Sequence, residues 1–426
     1  MTRDHLSENS KSYLIEYKWK AVVTVALSII MMTMDFSVTS ISFPILTRVF
    51  DAEITTIVWV TLVYSLISTS LMLVLGRIGD LFGRKKVFST GLAVFTLGLL
   101  ACSLSQNIGQ LILCRAFQAI GSAMILSCGT AIVTEAFPDE ERGKGLGIIG
   151  ISVSFGLVTG PMIGGVLLRW LDWRSIYYIR SPVGFMALLM ALTVLKKDMV
   201  KTGKVNLDLM GALTSSAGLA CLVFSISQIS RLGFGSSLIQ LLISVSILCL
   251  IAFIFIERMA TAPIVDFSLF KNRTFSFSIW SLFMIFASYQ AYFLIMPFYL
   301  IQGLGMTAST AGLLMAVPYT VAIILSPISG SLSDRFGPFW FVTLGAVSII
   351  VSLLLMRGFD LQTQIMALIP ASFLFGAGDG LFQPPNNSTI MGNIPKDKYG
   401  MASALIALLR QMGMSLGMAL IGAVYS

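Results

Sequence analysis

An ionisable side chain inside an apolar run of membrane-spanning length is the first place to look for chemistry. Placing one there costs at least about 2.5–3.5 kcal/mol, so it needs a partner, a wet cavity or a function. Asp35, Arg115, Asp379 and Arg410 all stand in such runs, and Gln118 lies one helical turn from Arg115 on the same face. A buried carboxylate can bind and release a proton or hold a cation, and a nearby arginine opposes protonation by favouring the charged form. For Asp35 to exchange a proton near neutral pH, it must therefore part from Arg115 during its working cycle, or substrate and proton must compete for it. Each candidate has a plain structural alternative. Asp35 could pair permanently with Arg115, Asp379 could pair with Arg410, and Arg115 could snorkel to the nearer interface. Nucleophilic and metal chemistry find no support. The single histidine, His5, lies in the polar first stretch, and Cys102, Cys114, Cys128, Cys221 and Cys249 sit singly in apolar segments without metal-ligand spacing. No metal site, no cofactor and no enzymatic activity are expected.

The elements that must position these groups are membrane helices. Of the 426 residues, 56% are apolar and only 11% charged, too few charges to cover a soluble surface. Apolar stretches of about 20 residues, enough to cross roughly 30 Å of hydrocarbon, recur thirteen times. They cover 21–46, 56–76, 87–104, 109–134, 145–168, 178–195, 209–228, 238–256, 275–301, 311–331, 339–356, 364–391 and 401–425. Lysine and arginine divide between alternate loops 20 to 5, with Arg115, Arg180 and Arg410 within or at the ends of helices, accounting for all 28. By the positive-inside rule the N-terminus and the basic loops are cytoplasmic. Residues 1–20 form a cytoplasmic tail without the apolar core of a removable leader. The net charge of +8 is spread among loops, which argues against a nucleic-acid partner.

The chain repeats. Pro138, Gly143, Gly156, Gly160 and Gly165 recur as Pro395, Gly400, Gly413, Gly417 and Gly422 at one offset of 257, at which Gly121 also matches Gly378. Gly76, Asp80, Phe82 and Gly83 recur as Gly330, Asp334, Phe336 and Gly337 at an offset of 254. Two parallel copies, related by an axis along the membrane normal, are implied. The expected organisation is an N-terminal six-helix bundle over 21–196, a linker with two inserted helices over 197–274, and a C-terminal bundle over 275–426 containing five helices.

Four motifs resemble those of the major facilitator superfamily. The loop Gly76-Arg77-Ile78-Gly79-Asp80-Leu81-Phe82-Gly83-Arg84-Lys85-Lys86 is similar to its conformational latch, although Leu81 stands where a basic residue is usual. The resemblance implies that Asp80, with Gly76, Gly83, Arg84 and the repeated acid Asp334, meets a helix N-terminus, where an anion is favoured. Gly147, Gly156, Gly160, Pro161, Gly164 and Gly165 match the antiporter signature of proton-coupled drug exporters; close helix packing alone explains the small residues but not the full spacing. Leu111 to Gly121 resembles the family's helix-four proton-transfer motif, with Ala119 in place of a glycine, and Met34-Asp35 through Pro44 resembles the helix-one acid of the fourteen-helix drug:proton antiporter branch, with Ser40 for an asparagine.

The resemblance implies an all-α membrane protein of the major facilitator fold, with two pseudo-symmetric bundles, two inserted helices and about 13 transmembrane helices present. The counterpart of helix fourteen would lie beyond Ser426. Helices one, four, nine and twelve would line a cavity presenting Asp35, Arg115, Gln118, Tyr289, Gln290, Tyr292 and Asp379. The expected function is proton-coupled export, by alternating access, of drugs or other amphipathic, cationic small molecules by a multi-pass monomer in the inner membrane. Its partners would be the lipid bilayer, the substrate and protons. Export of an amino acid or other metabolite, or a non-transporting sensor, remains open at this point. The sensor reading lacks a soluble domain, since the longest loops are 196–208 and 257–274.

Overall fold

A computed structural model describes residues 8–52, 54–57, 59–196, 208–233, 235–260, 264–306 and 308–425. Among them there is no strand, and thirteen helices exceed five residues. They are α1 (Glu8–Phe50), α2 (Trp59–Phe82), α3 (Arg84–Leu104), α4 (Ile108–Ala136), α5 (Arg142–Trp170), α6 (Ser181–Val194), α7 (Leu209–Leu232), α8 (Ser237–Met259), α9 (Arg273–Phe298), α10 (Ala308–Phe336), α11 (Pro338–Arg357), α12 (Ile365–Gly392) and α13 (Tyr399–Tyr425). Every apolar stretch of the sequence becomes one of them. Ten spans are long and apolar enough to cross a membrane among the described residues. Within α7 a shorter apolar run covers Met210–Ile226.

The first helix differs from expectation. It begins at Glu8 rather than near residue 21, so much of the expected N-terminal tail is a helical extension of α1. Residues 8–20 contain no glycine or proline to stop a helix, and a hydropathy scan sees only the part that faces lipid. The extension is pinned where Lys18 pairs with Glu141 and the Trp19 ring meets Phe137 edge-on at 5.8 Å.

The first half comprises α1 to α6, with α1 packed on α5, α3 on α4 and α2 on α4. The second half repeats the scheme: α9 packs on α13, α11 on α12 and α10 on α12. The halves meet where α5 packs on α10 and α13 packs on α2 and α4. The inserted α7 and α8 pack on each other, and α7 also touches α2 and α13, so the pair leans on the seam between the halves. Helices α8 and α11 present exposed Leu241, Leu248, Phe255, Leu344, Ile350 and Leu354, the composition expected of lipid-facing surfaces.

Packing confirms the sequence repeat. A Cβ on Gly121 would lie 2.6 Å from the Gly91 carbonyl, and one on Gly378 would lie 2.7 Å from the Gly345 carbonyl, so corresponding glycines let corresponding helices touch.

Candidate functional site

Asp35, midway along α1, is fully buried between two arginines. Arg115 Nη1 donates to Asp35 Oδ2 at 2.6 Å, and Arg180 Nη1 lies 2.6 Å from Asp35 Oδ1. Arg115, itself 0% exposed, also donates to Gln118 Oε1 at 2.8 Å and to the Val60 carbonyl at 3.2 Å, and its guanidinium lies 4.5 Å from the centre of the Tyr64 ring. Tyr64 in turn donates to Ser122 Oγ at 2.7 Å. Arg180, just before α6, donates through Nε to the Ile176 carbonyl and lies over the Tyr177 ring at 5.8 Å. Two guanidinium groups on one carboxylate leave the cluster with one surplus positive charge.

The second arginine was not legible as a partner. Arg180 stands at the edge of its apolar segment, where an arginine reads equally well as a side chain reaching for the interface. It is instead 3% exposed.

In the second half Asp379 is almost as buried, at 8%, but among the described residues no ion pair holds it. Its Oδ1 accepts from the Gln383 amide one turn along α12. Arg410 acts on it only from beyond ion-pair distance, its Nε buried without a hydrogen-bond partner and its guanidinium 5.3 Å from the Phe286 ring. At the offset of 257 that relates α4 to α12, Arg115 corresponds to Ser372, Gln118 to Phe375 and Ser122 to Asp379. The place of the arginine is thus filled by a serine that accepts a hydrogen bond from Tyr292 at 3.2 Å. Tyr292 stacks on Phe375 with ring centres 4.2 Å apart, and Tyr289 meets Phe375 edge-on at 5.0 Å. Tyr289 and Tyr292 therefore belong to one buried aromatic cluster, while the surroundings of Gln290, Pro161 and Gly165 lie outside what is described.

Two reciprocal contacts clasp the halves at the end carrying the lysine-rich loops. Asp80 of α2 accepts from the Gly400 N–H at 2.7 Å and the Met401 N–H at 2.8 Å, at the start of α13. Asp334 of α10 accepts from the Gly143 N–H at 3.0 Å and the Lys144 N–H at 3.2 Å, at the start of α5. Each carboxylate faces the positive end of a helix in the other half. Arg84 reinforces the first, donating to Asp80 through Nε at 3.0 Å and Nη2 at 2.8 Å, and to Glu135 at 2.7 Å. Its counterpart at the offset of 254 is Pro338, so the second clasp has no such arginine. The reversals after both acids need glycine, with φ of 107° at Gly83 and 83° at Gly337. Beside the first clasp, Asp266 accepts from Lys398 and from Ser268. Partial burial pushes its carboxyl up, but these donors outweigh that and bring it to about 2.

The glycine row of α5 divides between two neighbours. A Cβ on Gly156 would lie 2.7 Å from the Ile30 carbonyl, one on Gly160 would lie 3.2 Å from the Met34 carbonyl, and one on Gly164 would lie 3.2 Å from Val38. All three face α1 around Asp35. Gly147 faces the other half, where a Cβ would lie 2.8 Å from the Ser326 carbonyl of α10.

The model of the Major Facilitator Superfamily matches residues 25–418. The chain belongs to this superfamily. Among curated relatives it is 31% identical to the riboflavin transporter RibZ of Clostridioides difficile (strain 630), over 95% of this chain and 88% of that one. It is 28% identical to the multidrug resistance protein Stp of Mycobacterium tuberculosis (strain CDC 1551 / Oshkosh), over 95% and 75%, and to the multidrug transporter protein MdtP of Bacillus subtilis (strain 168), over 86% and 68%. Its fold resembles that of the human organic anion transporter MFSD10, with a TM-score of 0.69 at 15% identity over 96% of this chain and 94% of that one. A proton:xylose symporter, XylE, shares the fold with a TM-score of 0.63 at 13% identity, over 96% of this chain and 94% of that one. The chain is a multi-pass membrane transporter of this superfamily and not an enzyme.

Proposed function

We propose that this major facilitator protein exports drug-sized amphipathic molecules in exchange for protons, its halves rocking about a midplane site. The observation that carries this reading is the pair of reciprocal carboxylate clasps, each joining an acid of one half to a helix N-terminus of the other at a single end of the molecule. Contacts of this kind are made and broken as whole bodies rotate, which alternating access requires. With the basic loops in the cytoplasm, the clasped state is closed to the cytoplasm and faces outward. Carboxylates buried within the helices are the candidates for the group that takes the proton. The antiporter glycine row and the multidrug relatives support export of drug-like compounds. The similarity to a riboflavin transporter supports a second reading, in which the substrate is a flavin-like metabolite.

The proposed locale is the bacterial plasma membrane, with the N-terminus cytoplasmic and the protein acting as a monomer. The test uses everted membrane vesicles energised to accumulate protons. Ethidium uptake that collapses with a protonophore supports drug export, and uptake of riboflavin but not ethidium supports the second reading. Absence of both would sink the exporter assignment.

A further inference from the structure

The two buried acids differ in what surrounds them. Asp35 is held from both sides by arginines at 2.6 Å, with neither Asp35 nor Arg115 reached by solvent. Protonating it would leave two guanidinium groups buried around a neutral acid, a large electrostatic cost in a dry interior. Asp379 occupies the position that Ser122 holds in the other copy, and the position of Arg115 is there taken by Ser372. The scaffold repeats while the arginine is removed and an acid is added.

We propose that Asp379, and not Asp35, is the carboxylate that takes up and releases the proton, while the Asp35 cluster stays ionised through the cycle. This rests on the exporter reading above and names the residue through which the proton couples. Gln383, the neighbour that bonds Asp379, suits both forms of the acid. Its amide N–H donates to the carboxylate, and its carbonyl can accept from the protonated acid. The other charged or titratable groups facing Asp379 are Tyr289 of α9, Tyr319 of α10 and Arg410 of α13. Arg410 stands beyond ion-pair range, so it biases the site without locking it. The aromatic cluster of Tyr289, Tyr292 and Phe375 adjoins the acid, which suits a planar aromatic substrate carrying a positive charge or an N–H donor. Such a substrate and a proton would compete for one carboxylate, which is the condition for exchange.

A hydrophobic carbodiimide tests the assignment without a transport assay, because it modifies protonated carboxyl groups in apolar surroundings and spares ionised ones. The purified full-length protein is treated with dicyclohexylcarbodiimide between pH 6 and 8 and mapped by peptide mass spectrometry. The expected result is an adduct on Asp379 whose yield falls as pH rises, at least about ten-fold above that on Asp35, and lost in Asp379→Asn. An adduct on Asp35 at comparable yield, or none on Asp379 at any pH, overturns the proposal. In everted vesicles, ethidium should release protons in wild type and in Asp379→Glu but not in Asp379→Asn. If wild type moves no ethidium or riboflavin the exporter reading fails, while the carbodiimide result still decides which acid carries a proton.

Discussion

Taking one charge out of the Asp35 cluster should have very unequal consequences depending on which charge goes. Asp35→Asn leaves Arg115 and Arg180 facing each other in a dry site, and removing one partner of a buried ion pair costs roughly 3–5 kcal/mol. Arg180→Met leaves a neutral pair, Asp35 with Arg115, and removes the surplus charge. Thermal unfolding in detergent should therefore show a large drop for Asp35→Asn and little change for Arg180→Met, and the double variant should recover part of the loss. A drop for Arg180→Met as large as that for Asp35→Asn would mean that its methylene packing, rather than charge balance, holds the cluster. The meeting of Asp35 with Arg115 was legible in the sequence, because two opposite charges in apolar runs have few other options. The geometry at Asp379 was not. Its suggested partner Arg410 lies out of reach, and it is bonded instead by Tyr289 of α9 and by Gln383 one turn away, a residue that no motif marked.

At the scale of single helices, the glycine row of α5 predicts two distinct kinds of failure. Gly160→Val would drive methyl groups into α1 beside Ser37, within the first half, so α1 and α5 could not close and the protein should be made at reduced level. Gly147→Val would strike the Ser326 carbonyl of α10, across the seam between halves. Each half remains able to fold, so abundance should stay near wild type while ethidium efflux is lost. Immunoblotting against efflux separates the two, and equal loss of abundance in both variants would show that the row is uniform packing. Hydropathy placed all thirteen helices, since spanning length is a strong constraint. It missed the start of α1 because residues 8–20 gain nothing from lipid; they are helical through their propensity and through contacts such as Lys18 with Glu141, made 123 residues away.

The clasps act on the whole molecule, and their strength sets how readily it opens at the basic end. Asp80 makes two charge-assisted bonds to N–H groups and two to Arg84. Hydrogen bonds to a charged group contribute about 1.5–3 kcal/mol each when buried, and about 1.4 kcal/mol is enough for a ten-fold shift between states. Asp80→Asn keeps the shape and one acceptor but loses the charge, so the unclasped state should gain at least about ten-fold in population. Ser403 offers a reporter. It is 1% exposed, and its hydroxyl donates to the Leu126 carbonyl at 3.2 Å across the seam between α13 and α4. In a background with the five native cysteines replaced, Ser403→Cys should react slowly with a membrane-impermeant maleimide in everted vesicles and about ten-fold faster when combined with Asp80→Asn. Asp334→Asn should accelerate it less, because Pro338 stands where Arg84 would be and that clasp holds only two bonds. With the clasped end in the cytoplasm, as proposed, the same reagent applied to intact cells should not reach this cysteine in either background. Labelling from outside would reverse the orientation inferred from the lysines. An Asp80→Asn rate equal to that of the parent would reduce the clasp to a fixed surface contact that plays no part in opening.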